Sequence, residues 1–339
     1  MATITSTSAK VLEDANNVRE DLGNVIFNVS PYQTPFTSGI AAASATADNH
    51  EWLTDSFAAS AGNNENVEAQ AISGTAGSTR TRLGNYVQIA QKTVAVTKKA
   101  EMFDRAGVPG KEMAYQLMKL GKELQMDVEK QTLAVYTTGT TRNTKVSPTS
   151  STAGRSAGVP YWISAAANQV VGSSGGGAKN TGTDGAGTQL VPGTAETLTT
   201  AALSGLIDSV WNESGDFNNV KLMGSASTIA SLRATASNGP GLGMATNVDT
   251  DSSTGEIVNR VSVYQSQFGP MAVVPNKHMK NNTLYVLDMS SWGLAFGGGK
   301  KIHTTDIATQ ASAEQKLLEC YYTLEARSGN ANAAHYAVA

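Results

Sequence analysis

The order of elements in the sequence predicts an α+β fold. Three observations carry this expectation. A long amphipathic stripe with helical spacing spans residues 109–136, a strictly alternating strand spans residues 318–327, and no strand–helix–strand units recur between them.

In chain order, the first element is a helix over residues 10–27. Val11, Ala15, Val18, Leu22, Val25 and Ile26 form one apolar stripe there. Pro31 and Pro35 then force an extended path. Residues 50–100 read as a long β-hairpin. His50, Trp52 and Leu53 lie on its outgoing strand, and a small, polar tip runs from Ala58 to Ser78. The return strand runs from about Thr79 to Thr97. Its apolar positions change parity between the Val87/Ile89 and Val94/Val96 pairs, which predicts a bulge or bend near Gln91.

The helix over 109–136 has Pro109 in its first turn. Met113, Leu117, Leu120, Leu124 and Val128 form its apolar stripe, with Leu117 central. Lys111, Lys119, Lys122, Glu123, Asp127, Glu129 and Lys130 fall on other faces. At about 1.5 Å per residue the helix approaches 40 Å, so it must lie along an extended surface. Residues 137–197 are rich in Gly, Ser, Thr and Ala and read as an irregular loop, with Tyr161-Trp162-Ile163 as its one anchor. A helix returns over 199–214. Leu203, Leu206, Ile207, Val210 and Trp211 are spaced i, i+3, i+4, i+7 and i+8, Thr199 or Thr200 can cap the start, and Gly215 the end. A shorter helix follows from Ser225 to Ala234. Strands are expected over 257–274, broken near Phe268-Gly269-Pro270, and over 284–288. In the last strand Leu318, Cys320, Tyr322, Leu324 and Ala326 alternate with Glu319, Tyr321, Thr323, Glu325 and Arg327.

Composition excludes several function classes. The 339 residues allow two subdomains. Net charge is −3, so no basic field is available to grip nucleic acid through its phosphates. The single cysteine, Cys320, permits neither an intrachain disulfide nor a cysteine-based metal site, and points to assembly in a reducing cytosol. Met1 to Lys10 lacks the pattern of a secretion signal, and no apolar run is long enough to span a membrane.

Apparent chemical motifs read as turns and low-complexity sequence. Ser174 lies in a literal Gly-x-Ser-x-Gly at Gly172 to Gly176, but no strand–turn–helix context surrounds it. Gly297-Gly298-Gly299-Lys300 lacks both the upstream glycine and the Ser or Thr of a phosphate loop, so a strand-connecting turn is expected. Asn247, Asp249 and Asp251 have calcium-loop spacing, but Ser252 and Val258 replace the turn glycine and the bidentate glutamate. His50, His278, His303 and His335 show no metal-binding pairing. No enzyme activity, cofactor or metal is therefore expected.

An ordered series of segments carries a resemblance. It runs through Asn28-Val-Ser-Pro-Tyr-Gln-Thr-Pro-Phe36, His50-Glu-Trp-Leu-Thr-Asp-Ser56, Thr81-Arg-Leu-Gly-Asn-Tyr86, Asp104-Arg-Ala-Gly107 and Glu112-Met-Ala-Tyr-Gln-Leu117. It continues in Tyr161-Trp-Ile163, Gln267-Phe-Gly269, Val273-Val-Pro-Asn276, Leu287-Asp288 and Tyr322-Thr-Leu-Glu-Ala-Arg327. In these the chain resembles the major capsid (major head) proteins of tailed bacteriophages, in the family typified by the "S-U-ten" head protein. The resemblance implies the Hong Kong 97-like capsid fold. It implies an N-terminal arm over 1–49, an E-loop hairpin over 50–100, and a peripheral domain with a spine helix over 101–139. A Gly/Ser-rich insertion or loop over 140–199, a mainly axial domain over 200–288, and C-terminal strands returning to the peripheral domain over 289–339 complete it. Pro31, Tyr32, Pro35, Phe36, Trp52, Arg80, Arg82, Tyr86 and Arg105 are then the candidate subunit-interface residues. The function implied is self-assembly into hexamers and pentamers of an icosahedral head that encloses double-stranded DNA without sequence-specific binding. Cement, scaffolding and portal proteins are the candidate partners, no membrane is involved, and the location is the virion, assembled in the host bacterial cytoplasm. A non-viral, encapsulin-like compartment shell is the alternative.

Overall fold

The computed structural model describes residues 33–58, 79–103, 111–133, 144–172, 177–182, 184–185, 190–214, 217–238 and 263–339, with residues 60, 62–63, 65–69, 74 and 77. The expected first helix, Pro109, Ser174 and the Asn247–Asp251 turn lie outside the described residues.

Strands and helices combine as the α+β reading requires. The chain begins with β1 (Ala41–Ala45), β2 (Asn49–Thr54), β3 (Thr81–Tyr86) and β4 (Gln88–Thr97), followed by helices α1 (Lys98–Met102) and α2 (Glu112–Thr132). After the short β5 (Gln169–Val170) come α3 (Thr200–Ser214), β6 (Val220–Gly224) and α4 (Ala226–Asn238). The remainder is β7 (Val263–Ser266), β8 (Gly269–Pro275), β9 (Leu284–Asp288), β10 (Trp292–Gly297), β11 (His303–Gln310), β12 (Ala313–Ala326) and β13 (Ala333–His335).

These strands make two sheets and a separate two-stranded hairpin. In the first sheet β12 pairs antiparallel with β10, β11 and β4, and β1 adds parallel to β10. The second sheet has the order β5-β13-β9-β6-β8-β7. The alternation read in β12 holds: Leu318, Cys320, Tyr322, Leu324 and Ala326 are all buried. Burial pushes the Cys320 thiol up to about 12, which makes it an inert packing residue. Helix α2 lies against this face. Leu124 and Val128 pack with Leu294, Leu318, Cys320 and Tyr322, while Met113 joins Val94 and Val96. On the second sheet Leu203, Leu206, Ile207 and Val210 of α3 pack against Val220, Leu222, Leu284 and Val286. Thr199 caps α3, its Oγ1 accepting the Ala202 N–H at 3.2 Å.

Several expectations need correction. The return strand of the hairpin does not reach Thr97. It divides at Val87, so that β3 pairs with β2 and β4 leaves to pair with β12. No bulge forms at Gln91, because β4 keeps one register along β12 from Gln88 to Thr97. Ile89 simply faces outward, 58% exposed. The described part of α2 is 21 residues, about 31 Å rather than 40 Å. Glu129, read as a polar-face residue, is completely buried. Residues 333–338 leave the first sheet: β13 inserts between β5 and β9 of the second. That segment is too short and too rich in alanine to announce itself as a strand.

The largest correction concerns the irregular segment after α2, where residues 156–163, 168–169, 171 and 180 are buried and form part of the core. Tyr161, Trp162 and Ile163 are buried as expected, but so are Ala157, Val159, Asn168, Gln169 and Asn180. Buried asparagines substitute for a regular ladder. The Asn180 side chain donates to the carbonyls of Tyr161 (3.0 Å) and Ile163 (3.2 Å). The Asn85 side chain donates to Leu324 O at 2.7 Å and accepts the Ala157 N–H at 2.8 Å, joining β3, β12 and the irregular segment. Asn85→Ala strands these buried groups and should cost about 2–4 kcal/mol, since each unsatisfied group costs about 1–3 kcal/mol. Urea denaturation measures it, and an unchanged midpoint would refute this role for Asn85.

His335, fully buried, and His278, half-buried, give the fold an acid-sensitive side. His335 is fully buried; its Nδ1 accepts the Ala337 N–H at 3.3 Å and its Nε2 lies 3.5 Å from Glu196. Burial holds its pKa below the usual 6.5, against the opposing pull of Glu196. For His278, burial and then Lys277 act downward, outweighing Glu129 and the Gln33 carbonyl. With both pKa values depressed, the unfolded chain takes up protons first as pH falls. Stability from these two groups is therefore complete above about pH 6.5 and is lost as pH drops toward their folded values. Tm should be flat from pH 8 to 6.5 and fall from 6.5 toward 5, less steeply in His335→Gln. A Tm that rises over that lower interval would contradict the assignment.

Candidate subunit-contact surface

The hairpin β2–β3 is the element that stands apart from both sheets. Its register runs from Asn49↔Tyr86 at the base to Thr54↔Thr81 at the outer end. Trp52 fixes the base: its indole N–H donates to Ala326 O at 2.9 Å, and its ring lies 5.3 Å from that of Trp162. A Cβ at Gly84 would lie 2.8 Å from Glu51 Cγ, so a larger residue there would have to displace the Glu51 side chain. His50 lies 3.8 Å from Glu325 across the junction with the first sheet.

From Leu53 outward the hairpin carries exposed apolar side chains. Leu53 is 63% exposed, Phe57 wholly exposed and Val67 77% exposed. Large apolar groups held in water on a projecting element mark a contact surface. Arg80 lies 3.7 Å from Asp55, and Arg82 pairs with Glu51. These exposed pairs contribute little stability but organise the hairpin's surface. Further exposed apolar groups are Met102 and Phe103 at the end of α1, Met118 on α2, and Trp211 on α3. The Trp211 ring stacks on Phe268 at 4.6 Å.

The candidate interface residues therefore divide. Trp52, Arg80, Arg82 and Tyr86 share the hairpin, the arginines exposed and Trp52 and Tyr86 half-buried. Pro35 is half-buried at the start of the described chain. Phe36 is fully buried, its ring 6.1 Å from Trp292, so its side chain has no surface to offer a neighbour. Pro31, Tyr32 and Arg105 lie outside the described residues. Leu53 and Phe57 were missing from the candidate set. The strand's period of two signals Leu53, which falls on the face opposite His50 and Trp52.

Among the described residues, sites for other chemistry do not assemble. Gly297–Lys300 forms the turn between β10 and β11, with Gly298 and Gly299 at φ 59° and 73°. Among the described residues no group of three His, Cys, Asp or Glu side chains could hold a metal ion. No helix among them is long and apolar enough to cross a membrane.

Known proteins with this architecture identify it. A model of the SU10 major capsid protein family matches residues 3–338. The chain is 34% identical over 117 residues to the major capsid protein of Escherichia phage Phieco32, a match spanning 34% of this chain and only 33% of that relative. The capsid asymmetric unit of cyanophage A-1(L) superposes with a TM-score of 0.59 at 13% identity, covering 99% of each chain. An encapsulin complex from Synechococcus elongatus PCC 7942 superposes with a TM-score of 0.51 at 10% identity, covering 92% of each chain. At such identities the superpositions show the fold alone, and it is the Hong Kong 97-like fold that the resemblance implied. Matched over nearly its whole length, the chain belongs to the SU10 major capsid protein family.

Proposed function

We propose that this chain is the shell subunit of a tailed-phage head. Copies pack as hexamers and pentamers into an icosahedral container for double-stranded DNA. The exposed apolar hairpin carries this reading: Leu53, Phe57 and Val67 stand in water on an element with no core of its own. In the assembled shell, Leu53, Phe57, Arg80 and Arg82 contact a neighbouring copy, with Trp52 and Tyr86 setting the hairpin's base. The residues of 50–100 before β4 act as the overlapping loop, the first sheet with α2 as the peripheral part, and the second sheet with α3 as the axial part. Many modest contacts then add up through multivalency. A net charge of −3 suits a container wall that must let DNA slide during filling.

The superposed encapsulin keeps the compartment-shell reading in view. Particles purified from their native source separate the two, since a phage head holds DNA and a compartment holds a protein cargo.

Light scattering of the purified chain should show capsomers or shells; a monomer at all concentrations would overturn the proposal. Boiled particles should run as a single band near 35.2 kDa. From His50 to Gln91 the sequence has no lysine, and Lys92 is held by Asp127 at 2.9 Å and Glu123 at 3.3 Å. Burial pulls the Lys92 pKa down, but these carboxylates outweigh it, and the amine stays protonated and non-nucleophilic. A ladder of multimers surviving reductant would contradict this.

A further inference from the structure

Glu129 sits in the last turn of α2, where the sequence places it among charged residues, yet its side chain is 0% exposed. Among the described residues it has no ion-pair partner. Its carboxylate instead accepts three N–H groups. The Phe36 amide donates to Oε1 at 2.9 Å, the Thr37 amide to Oε2 at 2.7 Å, and the Asn276 side chain to Oε1 at 2.7 Å. A buried carboxylate is tolerated only when its oxygens are satisfied; the Phe36 and Thr37 amides satisfy one oxygen each, and Asn276 adds a second donor to Oε1.

The donors come from distant parts of the chain. Phe36 and Thr37 lie in a tight turn closed by Ser38 N–H to Thr34 O (3.1 Å) and Gly39 N–H to Phe36 O (2.9 Å). Gly39 is needed there, since a Cβ would meet Met289 Cε at 2.9 Å and Pro35 O at 3.0 Å. Asn276 ends β8, and its own amide donates to Gly224 O at 2.9 Å, which ties it to β6. Asn276 Oδ1 accepts the His278 N–H at 2.9 Å, and His278 Nε2 lies 3.1 Å from Gln33 O. One carboxylate thus joins the helix of the first sheet, the end of the inner strand β8 of the second sheet and the turn at residues 33–39.

We propose that Glu129 is a positioning residue, an internal latch that sets the path of residues 33–39 within each subunit before any neighbour arrives. The competing account is that a neighbouring copy sets this path on assembly. In the latched subunit the turn keeps the same conformation whether the chain is free or assembled.

Amide hydrogen exchange on the full chain decides between them. In free wild-type subunits the Phe36 and Thr37 amides should already exchange slowly, at rates close to those in shells. Glu129→Gln presents an amide donor to these donors and should speed their exchange at least tenfold, with the β12 amides unchanged. Asn276→Ala should leave Phe36 and Thr37 protected and loosen only the His278 amide. Fast exchange at Phe36 and Thr37 in free wild-type subunits, slowing only in shells, would overturn the latch. So would unchanged exchange in Glu129→Gln, a rise that extends to β12, or loss of Phe36 and Thr37 protection in Asn276→Ala. If wild-type chain forms no shells the shell reading fails, while the free-subunit measurements still test the latch.

Discussion

Leu124→Asp should abolish folding of the subunit. Leu124 is 1% exposed and packs with Val128, Leu294, Leu318, Cys320 and Tyr322, where α2 meets the first sheet. The substitution removes about 2 kcal/mol of apolar burial. It also places a carboxylate among apolar side chains, which costs several kcal/mol more even if the group takes up a proton. Together these approach the whole stability of a typical domain, about 5–15 kcal/mol. Leu117, the centre of the sequence stripe, is a weaker site for this test. It is only half-buried, so an aspartate there can reach water. Leu124→Met conserves volume and should cost less than about 1.5 kcal/mol. Circular dichroism and urea denaturation of the pair provide the measurement. A cooperative Leu124→Asp transition at the wild-type midpoint would remove α2 from the core.

Deleting residues 58–78 should give the opposite result, a folded subunit that forms no shells. All the described residues in that span are exposed. The deletion leaves the β2–β3 register intact from Asn49↔Tyr86 to Thr54↔Thr81 and joins Phe57 to Thr79. The resulting loop of five residues is an ordinary hairpin connection. Stability should therefore change by no more than about 1 kcal/mol, as for other surface changes. Shell yield should fall below detection by electron microscopy, because the hairpin loses its reach toward a neighbour. Phe57→Ser alone keeps the length and should reduce assembly partially. Loss of the folding transition would place this span in the core. Wild-type shells from the deletion would show that the tip is dispensable.

These two outcomes rest on parts of the chain that were legible in very different degree. The α2 stripe and the β12 alternation could be read directly, because a helix or strand packed on one face writes its period into the sequence. Met113, Leu124 and Val128 are buried as their spacing requires, and so are Leu318, Cys320, Tyr322, Leu324 and Ala326 of β12. The hairpin was legible as two strands around a polar tip. Its boundary was not, since the apolar residues of β3 and β4 run together and only the pairing of β4 with β12 separates them. The contact surface was half legible. Trp52, Arg80, Arg82 and Tyr86 enter the proposed surface through the resemblance, whereas the exposure of Leu53 and the burial of Phe36 follow from packing.

By itself the sequence determined the α+β class, the long helix against an alternating strand, the projecting hairpin and the family. Each of these is carried by local periodicity or by an ordered series of short motifs. Tertiary structure alone decided that residues 156–163 are core and that Glu129, Asn85, Asn180 and Asn332 are buried. Asn332 accepts the Trp292 indole N–H at 2.8 Å and the Asp288 amide at 2.9 Å. Glu129 finds its donors 92, 93 and 147 residues away. A polar side chain can be buried only where its partners meet it, and partners so far apart along the chain leave no spacing from which the burial could be read.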